Sequence, residues 1–204
     1  MLEWLPWVFL FLIAVIFHEV CHGWAALALG DPTARDQGRL SLNPLRHIDP
    51  FWTVLFPAAL FLSTNGHFAI GMAKPVPVNF SRLRPARLGM VLVALAGPAA
   101  NLLLAGVFNF LYKFSANEFF LYAIYFNLGV AMFNLVPVPP LDGSRILAGL
   151  LPDFALRWLM VVEPFGFILV FLLYMSGFLL YWVVPGMDFF CRILDVPGIQ
   201  LTAG

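Results

Sequence analysis

Five runs of apolar residues, separated by polar stretches, organise this chain. They cover roughly residues 4–29, 51–65, 88–112, 118–138 and 158–184. A helix that crosses a bilayer needs about 20 mostly apolar residues, and four of the five runs meet that length. The second run is shorter, begins after Pro50 and contains Pro57. That form predicts a re-entrant or interfacial segment. The polar connections, 30–50 and 66–87, are rich in Gly, Pro, Asn and Arg. Within them Gly38-Arg39-Leu40-Ser41-Leu42 and Lys74-Pro75-Val76-Pro77-Val78 alternate polar or proline with apolar positions. Each predicts a short membrane-associated β-strand.

Composition identifies lipid as the solvent. Of 204 residues, 62% are hydrophobic and 11% charged, against about 45–50% and about 25% in a soluble domain. Residues 4–17 have the apolar core of a signal peptide, but Glu3 flanks them without Lys or Arg and no cleavage site follows. The run reads as a retained membrane helix. Formal net charge is zero, which gives no indication of nucleic acid as a partner. Cys21 and Cys191 are the two cysteines, placed where a disulfide framework is not expected.

Charge sets an orientation. If 51–65 dips into the membrane and returns, Arg35, Arg39, Arg46, Lys74, Arg82, Arg84, Arg87, Arg145 and Arg157 share one side. Lys113 and Arg192 are left opposite. A full crossing by 51–65 erases this asymmetry. By the positive-inside rule the loops between 30 and 87 are cytoplasmic and the N-terminus is outside.

The chemistry is concentrated in His18-Glu19-Val20-Cys21-His22, an HExxH pattern inside an apolar helix. Residues i and i+4 share a helical face, so both imidazoles can reach one zinc ion. Glu19 is beside them and suits a general base. Ionisable groups in a membrane helix are costly and normally face the protein interior, which weakens the reading of a chance match. Cys21 is turned about 100° from His22 and reads as packing. A third ligand must come from another apolar segment. Asp142 closes the run Asn134-Leu135-Val136-Pro137-Val138-Pro139-Pro140-Leu141-Asp142-Gly143, where prolines break a helix. It could complete the site or cap a helix beginning near Ser144.

With HEVCH at 18–22, AGPAAN at 96–101 and NLVPVPPLDG at 134–143, the chain resembles the site-2 protease family of intramembrane zinc metalloproteases. NPLRHIDP at 43–50 and AKPVPVN at 73–79 look like its compact bacterial and archaeal branch. The resemblance covers roughly residues 10–150. It implies one zinc per chain held by His18, His22 and Asp142, with Glu19 as general base. It also implies an all-α polytopic membrane fold with a core of three transmembrane helices. To this core the sequence adds the re-entrant segment, the short strands and at least one extra C-terminal helix. Residues 1–150 form the catalytic core and 151–204 a C-terminal segment and tail. The implied activity is hydrolysis of peptide bonds in membrane-protein substrates within or near the bilayer, with the active site toward the cytoplasmic face of the cell membrane.

Other polar residues carry weaker expectations. Asn134 either orients substrate and its developing oxyanion or makes an interhelical hydrogen bond. Asn101, among small neighbours, reads as structural near the site. His47 is expected to make an ordinary loop hydrogen bond near Asp49, His67 to lie on a loop surface, and Glu163 to begin a helix. A zinc transporter would string ionisable residues along a path across the bilayer; here they cluster at one depth. A non-catalytic scaffold of the same fold would not need Glu19. Substrate identity and oligomeric state are not written in the sequence.

Overall fold

The computed structural model describes residues 5–63, 73–152, 157 and 161–198. His67 and the end of the 51–65 run lie outside them. The order is α1 (Leu5–Ala28), a short α2 (Thr33–Asp36), α3 (Phe56–Ser63) after a π-turn over Pro50–Leu55, α4 (Ala86–Ser115), α5 (Glu118–Asn134), α6 (Asp142–Leu150), α7 (Gly166–Met175) and α8 (Phe178–Leu194). Among the described residues two helices, α1 and α4, are long and apolar enough to cross a membrane, and the bent pair beginning at Glu163 makes a third span if counted as one. The outward faces carry bare apolar side chains such as Leu103, Phe110 and Tyr181. Lipid, not water, suits such a surface.

α4 is the centre, packed against α1, α5 and α6. Buried Ala105 of α4 and Ile124, Leu128 and Met132 of α5 join Met187 and Cys191 of α8 in one apolar cluster. α5 ends at Asn134, short of the 118–138 run, because Pro137, Pro139 and Pro140 follow. The last apolar run is not one straight helix. α7 and α8 meet at 78°, and Gly177 at the break has φ +74°, a left-handed conformation that glycine adopts without a Cβ penalty.

The two expected β-strands are absent: among the described residues the protein is helical, with no strand. For 74–78 the reason lies in the donors. Pro75 and Pro77 have no N–H for a ladder, and the Val76 N–H between them goes to the Glu19 carboxylate, 2.7 Å away. Side chains hold this irregular strap instead. Arg39 Nη2 donates to the carbonyls of Lys74 (2.9 Å) and Pro75 (3.3 Å). Buried Asp31 accepts from Asn79 N at 2.6 Å.

Both polar connections meet at one end of the bundle. Lys74 N donates to His47 O at 2.8 Å, and Arg84 N to Leu29 O at 3.0 Å. Arg87 Nη1 reaches Leu151 O at 3.1 Å. At the far end of α4, Lys113 pairs with Asp195 at 2.7 Å.

Candidate metal centre

α1 carries His18 and His22 one turn apart on its buried face, 4% and 7% exposed. They lie in the half of the helix nearer the loops, His22 about 9 Å of helix from Ala28. α4 provides their bed. A Cβ at Gly97 would collide with both imidazoles, so glycine is required there. Val93, one turn before, offers its carbonyl to His22 Nδ1 at 2.7 Å. One turn past Gly97, buried Asn101 meets His18 Nδ1 at 2.7 Å through Oδ1. The orientation of that amide is fixed by its other end. Nδ2 donates to Ala14 O at 2.9 Å and to Asn127 Oδ1 at 3.0 Å.

These bonds set the tautomers. Asn101 Oδ1 and Val93 O can only accept, so each Nδ1 is the protonated nitrogen and each neutral imidazole turns an Nε2 lone pair inward. The two Nε2 atoms are 3.0 Å apart. Asp142 Oδ2 completes a triangle, 3.0 Å from His18 Nε2 and 3.2 Å from His22 Nε2. That oxygen is buried and has no hydrogen-bond donor. Three lone pairs face one point with no hydrogen between them, which a cation resolves. Ligands at about 2.0–2.1 Å from a tetrahedral zinc are about 3.3 Å from each other, close to the observed edges. Two imidazoles and a carboxylate therefore fit zinc, and among the described residues no other trio of possible ligands assembles.

Asp142 gets there by a close turn. Its carboxylate makes no N-terminal cap to α6, which begins at Asp142 itself. Any Cβ at Gly143 would strike the carbonyls of Leu135 and Val136, so glycine lets α6 start against the end of α5. A cavity of about 230 Å³ contains the three ligand candidates together with Glu19, Asn134 and Arg145. Asn134 donates one N–H to Val130 O of its own helix at 3.0 Å, not to a neighbouring helix.

Other candidates fall elsewhere. Cys21 is outside the trio. Buried His47 bonds to Ser41 O at 2.7 Å rather than to Asp49, and serves the loop. Glu163 is not merely a helix-start residue: it pairs with Arg145, whose guanidinium lies 5.1 Å over the Phe80 ring. Sequence reasoning missed Arg145, Asn127 and the Val76 N–H. A signal existed for the first two: Arg145 is at i+3 from Asp142, and Asn127 is an amide two turns before Asn134 in the same apolar helix.

Residues 111–173 match the family described as Peptidase family M50. The chain is 37% identical over 179 residues to "Putative zinc metalloprotease YwhC" of Bacillus subtilis, covering 81% of this chain and 78% of that protein. It is 28% identical over 200 residues to "Putative zinc metalloprotease Rip2" of Mycolicibacterium smegmatis, covering 95% of this chain and 75% of the relative. Rip2 of Mycobacterium tuberculosis strain H37Rv is 29% identical over 178 residues, covering 84% and 67%. No solved structure matches.

Proposed function

The chain belongs to peptidase family M50 and is a membrane zinc metalloendopeptidase, and from this we propose that it cleaves membrane-protein substrates within or beside the bilayer. His18, His22 and Asp142 hold the zinc in this reading, and Glu19 is the general base. The observation that carries it is the triangle of inward lone pairs in one cavity with Glu19, beside a helix long and apolar enough to cross a membrane.

Bound there, zinc supplies a Lewis acid and lowers the pKa of water toward about 7. Glu19 takes the proton of the attacking water and returns it to the leaving amine. Its Oε2 is steadied by Val76 N, and its other oxygen is available for that transfer. Asn134 keeps a second N–H beyond the one given to Val130 O, and this donor turns to the carbonyl oxygen as charge develops on it. A helical substrate hides its carbonyls in i→i−4 bonds and must unwind locally. The freed N–H groups then pair with carbonyls of the 73–79 strap.

The site faces the cytoplasm of the cell membrane in this reading. The motif's place in the loop half of α1 and the basic residues gathered at that end support this. In this reading the run 51–65 is re-entrant, supported by the bond from Lys74 N to His47 O, which joins the residues on either side of it. Residues 1–150 are the catalytic core, with 151–204 appended.

The test is cleavage of a single-span model substrate by the purified protein in lipid nanodiscs. Glu19→Gln should retain zinc and lose cleavage. Cleavage at the wild-type rate would remove Glu19 from the mechanism.

A further inference from the structure

A second cleft opens beside the last turn of α1, with a volume of about 570 Å³. Trp24 and Leu27 of α1, Leu40 and Ser41 of the following loop, and Arg35 and Arg46 line it. None of the residues of the metal centre takes part. We propose that this cleft binds the headgroup of an anionic phospholipid.

Three observations converge. Trp24 is 56% exposed where a spanning helix emerges from the bilayer, the depth at which indole rings collect. With Leu27 it offers an apolar wall continuous with the lipid-facing side of α1, along which an acyl chain can descend. Next, Arg46 is held in position. Its Nη1 donates to Gly38 O at 2.9 Å. Gly38 has φ +62°, and a Cβ there would come within 2.7 Å of the same nitrogen. The loop is thus shaped around the guanidinium, and one bond leaves further N–H groups for an oxyanion. Arg35 bonds to its chain neighbour Asp36 in an exposed pair, of little worth in water and readily shared with phosphate. Finally, Leu42 and Leu45, 54% and 75% exposed, precede Arg46 in the same loop. Cations beside bare leucines at a helix exit suit a headgroup with its glycerol and chains, not a free ion. A basic pocket at the cytoplasmic end of membrane helices is a recognised form of headgroup site.

Native mass spectrometry of the full chain in detergent tests this with phosphatidylglycerol and phosphatidylcholine of matched acyl chains. Phosphatidylglycerol should be retained about thirtyfold more strongly, given about 1 kcal/mol for each of the two arginines near an anionic surface. Arg35→Gln with Arg46→Gln should bring the two lipids within about twofold. Inorganic phosphate should not displace the bound lipid. Equal retention by wild type, an undiminished preference in the double variant, or full displacement by phosphate would each overturn the proposal. Should the double variant fold poorly, brominated lipids decide on the wild-type sequence. Brominated phosphatidylglycerol should quench the Trp24 fraction of emission, defined by subtracting Trp24→Phe, more than brominated phosphatidylcholine does. Equal quenching would overturn it too.

Discussion

His18 and Asn101, 83 residues apart, share a 2.7 Å hydrogen bond that turns the His18 Nε2 lone pair toward His22 and Asp142. Asn101 in turn is held by Ala14 O and Asn127. A ligand imidazole is tuned by the partner of its other nitrogen, and loss of such a partner costs about 10–100-fold in metal affinity. Asn101→Leu should weaken zinc by that order in a chelator competition. Asn101→Asp, which keeps an acceptor, should weaken it less. Equal affinity for wild type and Asn101→Leu would mean that the tautomer is set by something else.

Asp142 reaches the centre without capping α6, so its loss should not undo the helix. In Asp142→Ala, bound zinc should fall from one per chain toward zero while the helical circular dichroism persists. Unchanged zinc content would place the third ligand elsewhere.

Gly97 and Gly106 lie in the same helix and make a controlled pair. A Cβ at Gly97 would enter the imidazole pocket, whereas one at Gly106 meets nothing within 4 Å. Gly97→Ala should abolish zinc retention and cleavage. Gly106→Ala should leave both intact and favour the helix by up to about 1 kcal/mol. The same activity in the two variants would contradict the close approach at Gly97.

Asp31 anchors the strap from beyond the end of α1. Burial pushes its carboxyl up, but the Thr33 hydroxyl and the N–H groups of Asn79 and Thr33 more than offset this, holding it below its usual 3.8. A carboxyl lowered on folding adds stability that is complete above its unfolded pKa and is lost as pH falls through its folded one. Asp31→Asn should therefore destabilise the protein by about 1–3 kcal/mol at neutral pH. Thermal unfolding in detergent should show the gap between wild type and variant closing once pH drops below about 4. A gap that stays constant on acidification would show that the ionised carboxylate is not what holds Asn79.

The local information in the chain was enough for several conclusions. An i, i+4 histidine pair shares a face in any α-helix, so HEVCH was legible as half a metal site. Length and apolarity were enough for α1 and α4, and the proline run for the end of α5. The strand expected at 74–78 was misread because alternating prolines imitate strand periodicity while removing the N–H groups that a ladder needs. Only the tertiary structure decided the rest: that Gly97 clears space for two imidazoles, that Asn101 and Val93 choose their tautomers, and that Asp142 turns inward instead of capping α6. It also paired Val76 N with Glu19 and bent the last apolar run at Gly177. Apart from the local bend at Gly177, these depend on which groups meet across separations of 57 to 124 residues, and helical periodicity carries no information about partners that packing brings together.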